Sequence, residues 1–300
     1  MSILVVGTVA LDTVQTPFGK VNQALGGSGT YSSVSASFFS QVKLVSIVGG
    51  DFPKKSIAFL HSQGIDTSGL QIVQNGRTFK WSGAYTTELN CAQTLKTELN
   101  LLSGFKPCLP QGYKNEKLIF LANIDPEVQL AVLEQLNKPG LVVLDTMNYW
   151  IEHNPGALRQ VAKKSQILTI NDAEARQFSK QSNLLKAAGK LLELGPRVVI
   201  IKRGEYGCLL FSRSFSFCIP AYLLERPIDP TGAGDTFAGG FLGYLAGAGK
   251  INQATLKTAV VFGSIMASFV VEDFSLNRLR KLTKAQIQQR FREFQRLTRF

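Results

Sequence analysis

Histidine and cysteine are scarce in this chain of 300 residues, which has only His61 and His153 and four cysteines, Cys91, Cys108, Cys208 and Cys218. The cysteines are far apart and form no C-x-x-C pair, so neither a zinc site nor a disulfide framework is indicated. Two dispersed histidines also leave little room for a histidine metal site or a Ser-His-Asp triad. No apolar run approaches the ~20 residues of a membrane span, and the opening MSILVVGTVALD shows neither a basic leader nor a cleavage site. A cytoplasmic chain with no membrane partner is the expectation. Repeats, low-complexity tracts and dividing linkers are missing too, which favours one domain over residues 1–300. Two phosphate motifs fail on inspection. The P-loop fails because Gly249-Lys250 is followed by Ile251 and Tyr244 stands where its first glycine belongs. The dinucleotide fingerprint fails because Gly27 and Gly29 are followed by Ser32, and Gly232 and Gly234 by Phe237.

What is present begins with charge. The net charge is +12, and eight of the basic residues (Arg278, Arg280, Lys281, Lys284, Arg290, Arg292, Arg296 and Arg299) fall between Leu276 and Phe300 against one acid, Glu293. Thr283 and Gln286 make a capping-box pattern there, followed by Ile287, Phe291, Phe294 and Leu297 at helical spacing. This reads as a terminal helix docked by its apolar stripe, with a solvated basic face rather than a nucleic-acid contact.

Short apolar runs recur at Ile3–Val6, Leu44–Val48, Leu118–Leu121, Leu141–Leu144, Ile167–Ile170 and Val198–Ile201. Helix-compatible segments lie among them, such as Ser32–Phe39, Pro126–Leu136 and Asn183–Glu193. The alternation predicts an α/β fold, a mainly parallel sheet with helices on both faces, and ligands at the carboxyl ends of its strands. Residues 13–25 and about 70–102 show partial alternation instead and are expected to form a small β-strand lid, with surface hairpins as the plain alternative.

The stretch DPTGAGD, from Asp229 to Asp235, sets Gly232 and Gly234 before an amphipathic run through Phe237, Phe241 and Leu245. That arrangement bares backbone amides at a helix N-terminus, where unpaired N–H groups and the helix dipole favour an anion. The same positive end would keep Asp235 ionised, ready to orient and deprotonate a hydroxyl. Phosphoryl transfer needs little beyond positioning, charge neutralisation and such a base. Read only locally, Asp235 is a helix cap and the glycines are a tight turn.

The whole stretch is similar to the second signature of the ribokinase-like, or PfkB, carbohydrate and nucleoside kinase family, D-T-x-G-A-G-D, with Pro230 in place of its threonine. Further matches run in the family's order: Gly7 with Asp12, the Gly26-Gly27 pair, Val48-Gly49 with Asp51, Asn171 to Glu174, and Lys202 to Gly207. The resemblance implies an ATP-dependent, magnesium-requiring kinase acting on a hydroxyl of a sugar, a polyol such as inositol, or a nucleoside. In that pattern Asp235 is the catalytic base, and the amides of Gly232, Ala233 and Gly234 form the anion hole. Lys202, Gly204 and Gly207 match the nucleotide-binding strand and turn; by themselves they also suit a hairpin. Asn171 and Glu174 match the motif that arranges magnesium and phosphate through water, although their own pattern is equally that of a capping box. Asp229 and Thr231 correspond to a monovalent-cation site of some members, which brings K+ into consideration.

For the acceptor, the resemblance points to Asp12, Gly26 and Gly27, with Asp12 reading paired hydroxyls; a turn residue is the local alternative. Tyr31 stands where many members carry asparagine, which shifts the contact toward stacking or a hydroxyl. Asp145 and Asn148, within DTMNYW, are expected to complete the pocket from position, and Arg77, Trp81 and Tyr85 to cover it. The partner is then a small molecule and not nucleic acid. Lid strands often serve as dimer surfaces in the family, so a homodimer is compatible with the resemblance. The rival reading is a non-catalytic ligand-binding protein that keeps the kinase fold.

Overall fold

The structure is a computed structural model describing residues 1–90 and 92–299; Cys91 lies outside the described residues. Thirteen strands form: β1 (Ile3–Val6), β2 (Ala10–Thr16), β3 (Gly19–Gly26), β4 (Val42–Gly49), β5 (Ile65–Val73), β6 (Phe79–Ala84), β7 (Gln93–Glu98), β8 (Leu118–Leu121), β9 (Leu141–Leu144), β10 (Ile167–Asn171), β11 (Val198–Lys202), β12 (Cys208–Ser212) and β13 (Ser216–Ile219). Nine of them make one sheet in the order β13-β12-β11-β10-β9-β8-β1-β4-β5, parallel from β11 to β5 and antiparallel in the closing β11-β12-β13 meander. The continuous apolar runs become its buried central strands.

Strand β1 shows why both faces must be covered. Its side chains alternate, Ile3 and Val5 entering one core and Leu4 and Val6 the other. The first core is closed by helices Ser28–Ser37, Ala233–Gly247 and Gln253–Val270. The second is closed by Pro126–Gln135, Pro155–Lys164, Asp172–Ser179 and Leu184–Glu193. Gln253–Val270 is long and apolar enough to cross a membrane, yet 56% of that window is buried inside the protein, packed on Ala233–Gly247. Glycine permits this approach, since a Cβ at Gly240 would stand 2.7 Å from the Met266 side chain; toward the helix Ser28–Ser37, one at Gly239 would stand only 2.3 Å from the Ser32 carbonyl.

The second sheet has the order β3-β2-β6-β7, with β2 and β6 parallel at its centre. Its limits differ from the expected 13–25 and 70–102. Leu70–Val73 belongs to β5 at the edge of the main sheet, paired with β4, whereas Ala10–Asp12 joins the small sheet. An edge strand buried on one face alternates just as a lid strand does, so the period alone could not separate them. Asn100–Leu102 is a 3-10 turn. The C-terminal helix runs Lys284–Leu297 from a Thr283–Gln286 capping box, with Ile287 and Phe294 buried and Leu297 left 57% exposed.

Candidate active site

Gly232, Gly234 and Asp235 open the helix Ala233–Gly247. Gly232 caps it at φ 76°, a left-handed conformation that costs other residues about 1 kcal/mol or more. A Cβ there would also strike the ring of Tyr31 at 2.5 Å. The Ala233 amide is not available to an anion, because it donates to the Pro230 carbonyl at 3.1 Å. The amides of Gly232, Gly234 and Asp235 find no backbone acceptor among the described residues, so these three are the ones left open to an anion, where Gly232, Ala233 and Gly234 were expected. Asp235 is pushed up to about 7 by burial and by Asp145, against the pull of Lys202.

Tyr31 departs from its expected role. It is 1% exposed, its ring lies beneath Gly232, and burial and the nearby Asp12, Asp229 and Asp235 raise its phenol well above the usual range. It braces the G-A-G-D turn from the core side. Asp12, from β2, accepts the Gly27 amide through Oδ2 at 3.3 Å, and a Cβ at Gly26 would stand 1.9 Å from that oxygen. The other oxygen, Oδ1, is buried without a partner. Burial, with Asp229 and Asp235 nearby, pushes Asp12 up to about 7 despite the Gly27 hydrogen bond. The small sheet reaches this bay through Tyr85, just after β6, while the Trp81 ring packs over Gly83 and its Nε1 donates to Thr94 Oγ1 at 3.2 Å. Trp81 is the register partner of Asp12, and the Tyr85 hydroxyl accepts from Thr231 Oγ1 at 3.2 Å. Arg77 precedes β6 and offers its carbonyl to the Leu101 amide.

Asp145 requires a correction. Its Oδ2 is 2.8 Å from Lys202 Nζ and its Oδ1 accepts the Thr146 amide, so neither oxygen faces an acceptor. The sequence shows no sign of this pair, whose members are 57 positions apart. Asn148 opens the helix Asn148–His153 as an exposed residue and joins none of these groups. Lys202 stands 3.1 Å from where a Cβ of Gly234 would be, placing an ammonium beside the bare amides. Burial opposes its charge, but Asp145, Glu174 and Asp235 outweigh that and raise its pKa.

Asn171 and Glu174 form the reciprocal capping box: Asn171 Oδ1 accepts the Glu174 amide at 2.8 Å, and Glu174 Oε2 the Asn171 amide at 2.9 Å. Burial pushes Glu174 up to about 7, against Lys202. Among the described residues no group of three or more His, Cys, Asp or Glu is arranged to hold a metal. With Asn171 spent and one Glu174 oxygen left over, the donor set fits a cation held through water, not a protein cage. Asp229, 1% exposed and raised by burial, accepts the Thr231 amide through Oδ1 and the Ser275 amide through Oδ2. Ser275 escaped the sequence reading because it lies 46 positions away.

Beside the helix N-terminus a cleft of about 480 Å³ opens, with Lys202, Gly204, Gly207 and Gly234 at its border and Ala221, Tyr222, Ala267 and Val271 in its wall. Gly204 and Gly207 take positive φ of 54° and 83° in the turn between β11 and β12. The tip of the small sheet reaches the same turn, where Asn90 Nδ2 donates to Glu205 Oε1 at 2.8 Å.

The model of the pfkB family of carbohydrate kinases matches residues 2–281. The chain belongs to this family. It is an ATP-using sugar or nucleoside kinase, a phosphotransferase with an alcohol acceptor. It is 32% identical over 253 residues to the cytidine kinase of Thermococcus kodakarensis, covering 82% of this chain and 90% of that one. The nucleoside kinase of Methanocaldococcus jannaschii is 27% identical over 77% of this chain and 73% of its own. The crystal structure of the Methanocaldococcus jannaschii nucleoside kinase superposes with a TM-score of 0.77 at 22% identity, over 97% of this kinase and 98% of that chain. A Burkholderia thailandensis nucleoside kinase in complex with inosine gives 0.77 at 18% identity, over the same 97% and 98%. The ribokinase-like α/β architecture is thereby shared.

Proposed function

We propose that this kinase transfers the γ-phosphoryl group of ATP to a hydroxyl of a nucleoside, with ribose-like sugars and inositol as weaker acceptors. The observation that carries the reading is the pair of recessed carboxylates either side of the Gly232–Tyr31 contact. Asp235 stands at the helix N-terminus, and Asp12 keeps an unpartnered Oδ1 in the adjacent bay. The likeness to the cytidine kinase of Thermococcus kodakarensis supports the nucleoside class.

In this scheme Asp12 accepts a hydrogen bond from the acceptor, and the small sheet covers it as a lid through Tyr85. Asp235 removes the proton of the attacking hydroxyl as its oxygen bonds to phosphorus and the bond to the ADP oxygen breaks. The amides of Gly232, Gly234 and Asp235, with Lys202, neutralise the transferred group. Asn171 and Glu174 would hold magnesium through water, and the ion would supply charge neutralisation for the phosphates; Asp229 and Thr231 are the candidate potassium ligands. Such a kinase works in the cytoplasm, where ATP is supplied. The test is ADP release with a panel of nucleosides, ribose, deoxyribose and inositol. Cytidine or another nucleoside should give the highest kcat/KM; fastest turnover on inositol would refute the acceptor class, and no turnover on any would favour a non-catalytic binder.

A further inference from the structure

The basic C-terminal helix has so far only a packing role, but one of its arginines is unlike the others. The Arg290 side chain is 14% exposed and lies between two aromatic rings, its Cζ 3.5 Å from the centroid of Phe269 and 4.7 Å from that of Tyr222. Its Nη1 donates to Ser268 Oγ at 3.0 Å and its Nη2 to Glu272 Oε1 at 2.5 Å, while Arg278 Nε holds the second Glu272 oxygen at 2.7 Å. Glu293, the lone acid of the helix, accepts the Tyr222 hydroxyl at 2.7 Å. The helix thus presents a fork and a carboxylate inward, and its remaining basic residues outward.

Tyr222 and Ser268 are also wall residues of the 480 Å³ cleft. Ser268 is fixed by the helix Gln253–Val270. Tyr222 is not: residues 220–230 carry no helix or strand; the segment is tied at its far end by the Ile228 and Asp229 amides to the Val271 carbonyl and by the Ser275 amide to Asp229, in its middle by Arg226 over the Phe18 ring, and at Tyr222 by the C-terminal helix through Arg290, Glu293 and the stacked Phe294 ring. A loop lacking a ladder does not hold an aromatic ring in one place unless something grips it. A planar guanidinium, stacked on the ring and forked to neighbouring oxygens, supplies that grip as an ammonium cannot.

We infer that Arg290 is a positioning residue of the phosphoryl-donor site: anchored on the helix-borne Ser268, it fixes Tyr222 from behind the wall, so the cleft is preformed for the base and ribose of a nucleoside triphosphate. The inference rests on the proposed kinase reaction and on placing its ATP in this cleft, whose border includes Lys202 and Gly234. It also gives the C-terminal helix a part in the reaction that needs no external partner.

The test uses the full chain as wild type, Arg290→Met, Arg290→Lys and Tyr222→Leu, with ADP binding by calorimetry and initial rates at varied ATP and varied acceptor. Arg290→Met and Tyr222→Leu should raise the Kd for ADP and the KM for ATP about ten-fold, with kcat at saturating ATP and the acceptor KM within about two-fold of wild type. Arg290→Lys, which keeps the charge without the planar fork, should fall between. Wild-type ADP affinity in Arg290→Met, or equal damage to donor and acceptor KM with a lowered Tm, overturns the inference. If Arg290→Met does not fold, the same split in Arg290→Lys and Tyr222→Leu decides it. If wild type binds ADP with no effect of cleft substitutions such as Ala267→Trp, the donor lies elsewhere, and the placement and this inference fall together.

Discussion

In the acceptor bay Asp12, Asp229 and Asp235 gather around the Tyr31 phenol, and none of the groups that set the charge of Asp12 is a cation. In the neighbouring cleft, proposed for the donor, one lysine, Lys202, stands between Asp145 and Glu174, and much of the remaining wall is apolar. The first region stores acids whose proton affinity is raised, and the second holds a cation whose charge is secured. Carboxylates without counter-charge suit the reading of neutral hydroxyls. An ammonium among bare amides suits an anion that arrives with its own charge. Asp235 sits at the seam and feels both sides, pushed by Asp145 and pulled by Lys202.

Substitutions can break this contrast one side at a time. Asp235→Asn removes the base without moving the cleft, so turnover should fall about 10²- to 10⁴-fold while the Kd for ADP by calorimetry stays near wild type. Lys202→Met leaves Asp145, 3% exposed, without its cation. Breaking such a pair costs about 3 kcal/mol, readable as a shifted urea midpoint, and nucleotide affinity should fall with it. Adding Asp145→Leu should restore stability but not affinity, because the apolar pair removes the orphaned charge and supplies no ammonium. On the other side, Asp12→Asn weakens a charge-assisted contact and should raise the acceptor KM roughly ten-fold, leaving the KM for ATP alone.

The smallest expected effect is that of pH. Asp12, Glu174 and Asp235 are each raised to about 7 in the fold, from ordinary values of 3.8, 4.5 and 3.8. Between those limits the folded chain binds more protons than the unfolded one, so these groups stabilise it most below pH 4 and lose that contribution as pH rises through 7. Urea midpoints of the free protein should therefore decline from pH 5.5 to 8. Activity should run the other way, rising about ten-fold from pH 6 to 8 as Asp235 loses its proton. A flat profile in both would remove the acid-rich description of the bay.

The main sheet was legible because its central strands are buried on both faces and so read as unbroken apolar runs, as Ile3–Val6 and Leu118–Leu121 do. The G-A-G-D turn was legible because its glycines and aspartate are adjacent in the chain. What the sequence hid was long-range pairing. The Asp145–Lys202 contact, the Ser275 amide on Asp229 and the Arg290 sandwich each join residues distant in the chain, and no local pattern reports them. Tyr31 was misread for a related reason: its position matched a ligand-contacting residue, while its burial follows from a glycine two hundred positions later having no side chain to displace it. The β5 edge strand and the small sheet shared one alternation, and only hydrogen-bond partners told them apart.

Strand β1 sits between β4 and β8, so Ile3–Val6 form a central plank of the main sheet. During synthesis Ile3–Val6 can pair with Val42–Val45 early, but its other edge stays open until Leu118–Leu121 has emerged. Parallel pairing over such separations is slow, and an open apolar strand edge invites association with other chains. Leu118–Leu121 in turn leaves its far edge open for Leu141–Leu144, so the exposed edge moves outward strand by strand until the β11-β12-β13 meander is made, at a pace set by the ribosome.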